Sequence, residues 1–187
     1  MIGHLKRCLP ESAATSRARA QVLLLRAQAG PMYGLDVVAT QEAKIKDMDR
    51  LLRRVWLECC GHLSEFHSGP RRRVSMSTRI GDAFPSIGSR LGYVYDFGST
   101  TELVVGYCGL TEAGSGKPVR LVARNEAPRW PCDVCGQAAT AVCNQCLYED
   151  RGFCCAQHGD DHDCGEEMLL PVVNSPRMGV CGYTGEA

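Results

Sequence analysis

Between Pro131 and Gly165 the chain places eight metal-competent side chains, Cys132, Cys135, Cys143, Cys146, Cys154, His158, His162 and Cys164. Eight is the number of ligands that two closed tetrahedral zinc sites require. A Cys-x2-Cys pair folds into a knuckle that aims two sulfurs at one point, and Cys132/Cys135 and Cys143/Cys146 are two such pairs. A catalytic zinc keeps one position open, whereas this set closes both sites, so the pattern points to structural metal.

Spacing predicts which ligands share an ion. Seven residues separate the two knuckles, short for a ribbon-type site, where about 15 to 20 residues intervene. Skipping one pair restores that distance, with eighteen residues between Cys135 and Cys154 and fifteen between Cys146 and His162. The module therefore reads as interleaved: Cys132, Cys135, Cys154 and His158 around one zinc, and Cys143, Cys146, His162 and Cys164 around a second. Cys154 and His158 are four apart, so one helical turn would bring them to one face. Cys155 competes with Cys154 for that role, and Cys154 is preferred.

Phe153-Cys154-Cys155-Ala156-Gln157-His158 resembles the aromatic-Cys-Ser-x-x-Cys segment of the interleaved MYND, HIT and B-box fingers, with His as the last ligand. The closing His162-x-Cys164 is tighter than their usual His-x3-Cys.

Twelve cysteines, four of them in two knuckles, with no export signal in Met1–Arg7 and the segment after it, predict thiolate ligation in a reducing, cytoplasmic setting. No apolar run is long enough to span a bilayer as a helix, so no membrane partner is expected. Twenty-one basic and twenty-one acidic residues cancel. With no global field to gather phosphate backbone, nucleic acid is disfavoured as a partner.

The expected fold class is α+β, a small mixed helix/strand domain followed by the two-zinc module. Residues 1–31 read as a helical or loosely ordered extension, with Arg17, Arg19 and Arg26 around Val22–Leu25 and a stop at Gly30-Pro31. Within 32–127, Tyr33–Val38 reads as a strand. Ile45, Met48, Leu51, Leu52, Val55, Trp56 and Cys59 recur at helical spacing. Tyr93, Tyr95 and Phe97 alternate as in a strand, and Leu103–Tyr107 and Pro118–Ala123 follow as strands. Residues 128–167 form the metal module, and 168–187 a tail packing back on the domain. Cys59 falls on the apolar stripe and is expected in the core. A third metal group at Cys59, Cys60 and His62 is disfavoured, His62 and His67 are read as hydrogen-bonded structural histidines, and Cys108 and Cys181 are isolated. Asp96, before Phe97-Gly98, is expected to cap a turn.

The succession of the Tyr33 strand, the Met48–Arg53 helix, Gly61-His62-Leu63-Ser64-Glu65-Phe66 and Tyr93-Val94-Tyr95-Asp96-Phe97-Gly98 resembles the Ri-plasmid open-reading-frame-three-like family over about 32–127. That family is prokaryotic, and Ser99 stands where it usually has Asp. The resemblance implies an α+β fold and brings no established activity.

The function expected is that of a zinc-binding, non-catalytic interaction or adaptor protein with a protein partner. The alternatives are a nucleic-acid-binding accessory protein of a mobile element, using Arg71–Arg73, Arg120, Arg124 and Arg129, and an enzyme with a site near Asp96.

Overall fold

The computed structural model describes residues 19–70, 72–114 and 116–185. Residues 1–18 of the predicted N-terminal extension, and Arg71 of the basic cluster, lie outside these. The chain forms two compact units. One comprises residues up to Leu51, Ser64–Val94 and Glu102–Asn125, and the other comprises Leu52–Leu63, Tyr95–Thr101 and the residues from Glu126 on.

The first unit is built on a seven-stranded antiparallel sheet. Its strands are β1 (Arg19–Ala29), β2 (Tyr33–Ala39), β3 (Ser64–His67), β4 (Arg73–Val74), β5 (Arg90–Tyr95), β6 (Thr101–Gly114) and β7 (Val119–Arg124), in the order β4-β3-β5-β6-β1-β2-β7. Strand takes 37% of the described residues against 17% for helix, which overturns the α+β expectation: the protein is mostly β.

Much of the difference is β1. Its Val22-Leu23-Leu24-Leu25 run, expected on a helix, is buried throughout. A central strand covered on both faces carries a continuous apolar run, and a run that short does not distinguish strand from helix. Arg26 lies opposite Asp36 of β2 in the register and reaches its carboxylate through Nε and one terminal nitrogen, both at 2.7 Å. Gly30, at φ 55°, makes the turn between β1 and β2.

The predicted apolar stripe does form a helix, Ile45–Leu52, continued by a π-helical turn at Arg53–Leu57. Ile45, Met48, Leu51, Leu52, Val55 and Trp56 are all buried. Asp49 fixes the helix in the first unit, accepting hydrogen bonds from Ser64 Oγ at 2.6 Å and Tyr93 Oη at 2.8 Å. The helical run stops at Leu57, with Glu58 already extended, so Cys59 lies beyond the stripe and is only half-buried. His67, expected as a hydrogen-bonded structural histidine, is held in the structure by packing. Its ring occupies the space above Gly92, where a Cβ would come within 2.1 Å of Nε2.

The second unit contains a small antiparallel sheet of β8 (Ala141–Cys143), β9 (Phe153–Cys154) and β10 (Leu169–Pro171), in the order β10-β8-β9. Val142, Phe153 and Met178 form its apolar centre, with Trp130 stacked on Phe153 at 4.7 Å between centroids. Arg177 is completely buried in this unit. It donates to Asp96 Oδ2 at 2.6 Å, to the carbonyl of Ser99 and to Thr101 Oγ1. The tail is also held by Ser175 Oγ, which donates to the Trp56 carbonyl at 2.6 Å. Among the described residues no helix is long and apolar enough to cross a membrane.

Candidate metal centre

Knuckle one sits in a tight loop closed by backbone hydrogen bonds from Cys132 N to Gln137 O at 2.7 Å and from Gly136 N to Cys132 O at 2.8 Å. Gly136 supplies the left-handed step at φ 71°. The second knuckle begins where β8 ends. Cys143 is the last residue of that strand, and Cys146 opens a 3-10 turn, Cys146–Glu149, its N-H pointing at Cys143 Sγ at 3.5 Å. The chain then returns through Gly152 into β9.

Among the described residues three Cys/His groups are placed to hold a metal ion, and all three lie in the second unit. In each, four ligand atoms fall within 4.8 Å of one another: Cys132, Cys135, Cys155 and His158; Cys143, Cys146, His162 and Cys164; and Cys59, Cys60, His62 and Cys181. The first two alternate along the chain. Knuckle one joins residues 155 and 158, and knuckle two joins 162 and 164.

Cys154 is not in the first group, and Cys155 takes the place expected of it. The physical reason is local. Cys154 is the second residue of β9, paired with Ala141, so it is not on a helix with His158. Cys155 leaves the strand with extended backbone and precedes the short helix Ala156–Gly159, which brings His158 Nδ1 to 3.3 Å from its Sγ. The Cys154 thiol is buried, 3.6 Å from the Gly152 carbonyl and 3.8 Å from Nδ1 of His162. His162 turns its other nitrogen, Nε2, to Cys146 Sγ at 3.5 Å.

The separations fit a tetrahedral thiophilic ion. Metal–sulfur bonds of about 2.3 Å and metal–nitrogen bonds of about 2.05 Å give S···S edges of about 3.8 Å and S···N edges of about 3.5 Å. In the first group Cys135 and Cys155 Sγ are 3.8 Å apart, and Cys132 Sγ is 3.5 Å from His158 Nδ1. In the second, Cys146 and Cys164 Sγ are 3.6 Å apart.

The backbone prepares part of this donor set. The N-H of Cys155, with those of Cys135 and Val134, points at Cys132 and holds its thiol down to about 6. Burial raises Cys143, but the Cys146 N-H and the His162 ring outweigh it and bring the thiol to about 7. Cys146 is pushed up to about 12 by burial and by the neighbouring Cys164 and Cys143 sulfurs. A cation entering the group would offset that crowding of negative charge.

Asp133, between the two ligands of knuckle one, reaches across the module. Its Oδ2 accepts the N-H groups of Gly152 at 2.6 Å and Phe153 at 2.9 Å, the residues that follow knuckle two. Gly152 itself has φ 108°, and a Cβ there would lie 2.8 Å from Cys146 Cβ.

Asp96 does what its position before Phe97-Gly98 predicts, accepting the Gly98 N-H at 2.9 Å from a left-handed backbone of φ 62°. The Arg177 hydrogen bond is the largest influence on it and lowers its carboxyl to about 2. The third Cys/His group is the part that the sequence reading disfavoured. Its signals were the dense run Cys59-Cys60-Gly61-His62 and a cysteine flanked by turn glycines, Gly179-Val180-Cys181-Gly182. Nothing in their spacing joins them.

No protein-family model and no curated protein matches the chain. A crystal structure of a protein of unknown function from Methanosarcina mazei Go1 superposes with a TM-score of 0.46 at 18% identity, over 56% of this chain and 68% of that one.

Proposed function

We propose that the protein is a zinc-binding, non-catalytic interaction or adaptor protein, with zinc held by Cys132, Cys135, Cys155 and His158 and by Cys143, Cys146, His162 and Cys164. The observation that carries the reading is that each group brings four protein ligands to tetrahedral separations. A filled tetrahedron leaves no position for substrate and serves structure. When bound, such ions contribute about 10–16 kcal/mol to the folding of small fingers. Strands of two and three residues need that support.

The knuckles also carry exposed apolar side chains suited to a protein partner. Val134, inside knuckle one, is 70% exposed, and Tyr148, in the turn after knuckle two, is 84% exposed. Exposed aromatic and apolar groups on a rigid frame are the usual anchors of protein contacts. Thiolate ligation fits a reducing cytoplasm. Membership of the Ri-plasmid open-reading-frame-three-like family, with a MYND-, HIT- or B-box-like finger, belongs to the same proposal.

The test is metal content followed by partner capture. Elemental analysis is expected to find zinc lost one equivalent at a time from Cys132→Ser and Cys143→Ser. The Val134→Ser/Tyr148→Ser protein is expected to keep its zinc and to lose a partner that the unaltered protein captures from its host. A metal-free protein, or identical captures with and without the two side chains, would sink the reading.

A further inference from the structure

Cys59, Cys60, His62 and Cys181 come from two stretches of the second unit, with His62 and Cys181 separated by 119 positions in the chain. Cys59 and Cys60 Sγ are 3.7 Å apart, and Cys60 and Cys181 Sγ 3.6 Å. His62 Nε2 lies 3.5 Å from Cys181 Sγ and 2.9 Å from Cys60 Sγ. The first three separations match the tetrahedral edges of about 3.8 Å and 3.5 Å. The fourth is that of a thiol–imidazole hydrogen bond.

Independent support comes from what stands behind the ligands. His62 presents Nε2 to the sulfurs, and its Nδ1 faces Asp96 Oδ1 at 3.5 Å. A metal-bound histidine regularly gives its second N-H to a carboxylate, which fixes the ring. Asp96 is in turn held by the buried Arg177 guanidinium at 2.6 Å, and the same Arg177 nitrogen is 3.7 Å from Cys59 Sγ. Three thiolates around a divalent ion leave one excess negative charge, which a buried guanidinium beside one sulfur offsets. Cys181 holds a left-handed backbone at φ 54°, a conformation that non-glycine residues keep only where their surroundings fix it.

We propose that Cys59, Cys60, His62 and Cys181 form a third metal site, a tetrahedron of three sulfurs and one nitrogen for zinc or a similar thiophilic divalent ion, backed by Asp96 and Arg177 and emptied before the other two. Cys60 and Cys181 are exposed, and the group opens on a concavity of about 550 Å³ shared with Tyr148 and Gln145. The other groups bury Cys132 and Cys155, or Cys143 and Cys146. Solvent and chelator therefore reach the third ion most directly. An ion there ties residues 59–62 to the chain near Cys181.

The full-length protein, reduced and loaded with zinc, provides the test. Elemental analysis is expected to give three zinc ions per chain. Cys181→Ser and His62→Ala each lose one, and Cys60→Ser/Cys181→Ser loses one rather than two, because both sulfurs serve one ion. Chelator titration should release one equivalent ahead of the others, and that early phase should vanish in Cys181→Ser. Asp96→Asn should keep three ions and release the first of them faster. Cobalt substitution gives a second readout, a thiolate-to-cobalt band weaker in Cys181→Ser than in the unaltered protein, at unchanged circular dichroism.

An unchanged metal count in Cys181→Ser and His62→Ala would overturn the site, as would two ions lost from the double variant. Thiol titration of the unreduced, denatured protein falling two short of its twelve cysteines would point to a disulfide and overturn it as well. Release of all ions in one phase would overturn the order of exchange. The proposal shares the zinc-protein reading but fails separately from it. If Cys132→Ser and Cys143→Ser lower the count and Cys181→Ser does not, the third site alone is lost. The opposite pattern would leave the third site standing without the other two.

Discussion

Gly152→Ala is the substitution whose effect on the module can be worked out most fully. The added Cβ would lie 2.8 Å from Cys146 Cβ, 3.2 Å from Cys143 Cβ and 3.3 Å from the Cys143 carbonyl oxygen. Carbon atoms settle at about 3.5–4.0 Å, so the Cys146 side of the knuckle must yield by about 0.7 Å or more. Metal-ligand distances tolerate only about 0.2 Å. Gly152 cannot simply move away, because Asp133 holds its N-H and its carbonyl accepts the Cys143 N-H at 2.9 Å. Its φ of 108° adds strain of about 1–3 kcal/mol for an L side chain. Left-handed strain is carried with and without metal, so the displacement of Cys146, more than about three times the metal-ligand tolerance, is what weakens binding at the second group. Gly136→Ala is the control. Its φ of 71° carries a left-handed penalty of about 1–2 kcal/mol, but no atom lies within 4 Å of the new Cβ. After equilibration with a chelator that leaves the unaltered protein loaded, Gly152→Ala should retain one zinc fewer and Gly136→Ala the full number. Full retention by Gly152→Ala, or equal loss from both, would refute the steric argument.

Cys155→Ser should lose one zinc per chain while Cys154→Ser keeps the full count, and Cys132→Ser with His158→Ala should lose one ion where Cys132→Ser with His162→Ala loses two. Elemental analysis of the purified variants decides both points, and a deficit in Cys154→Ser would restore the strand cysteine as ligand. Chelation should abolish hydrogen-exchange protection over β8, β9 and β10 while β1 and β6 keep theirs; equal loss everywhere would show that the large sheet also depends on metal. Arg26→Leu leaves the Asp36 carboxylate in the sheet without its partner and should destabilise the protein by about 2–3 kcal/mol, whereas Arg26→Leu/Asp36→Leu should recover most of that in chemical denaturation. No recovery would mean that the pair contributes through specific geometry rather than through charge compensation.

The sequence was legible where a period repeats long enough to count. The Ile45–Trp56 stripe and the Tyr93/Tyr95 alternation each became the expected element, and Asp96 became the expected turn cap. Phe97, expected on the same packed face, lies past the end of β5 and is 53% exposed. β1 was not legible, because four apolar residues flanked by arginines suit a central strand as well as a helix, and Arg26 finds its partner only through strand pairing. Choosing between Cys154 and Cys155 needed the point where β9 ends, and spacing carries no such information. The third group was hidden by distance along the chain. Cys181 meets Cys60 and His62 only after residues 175–177 have been anchored on Trp56, Asp96, Ser99 and Thr101.

Interleaving has an energetic consequence for the second unit. With strands of two or three residues and an apolar centre of Val142, Phe153 and Met178, its sheet has little surface to bury. Were the groups sequential, each ion would close a loop of its own and leave the loops free of one another. Here the chain enters knuckle one, passes through knuckle two, returns to the first group at Cys155 and His158, and then to the second at His162 and Cys164. An ion in either group would therefore close a loop that contains ligands of the other, and loop entropy removed by the first would not be lost again with the second. Asp133 adds an enthalpic link, because the loop that presents Cys132 and Cys135 also fixes Gly152 against knuckle two. Filling either group stiffens the frame that the other needs, so coupling between the ions follows from the path of the chain.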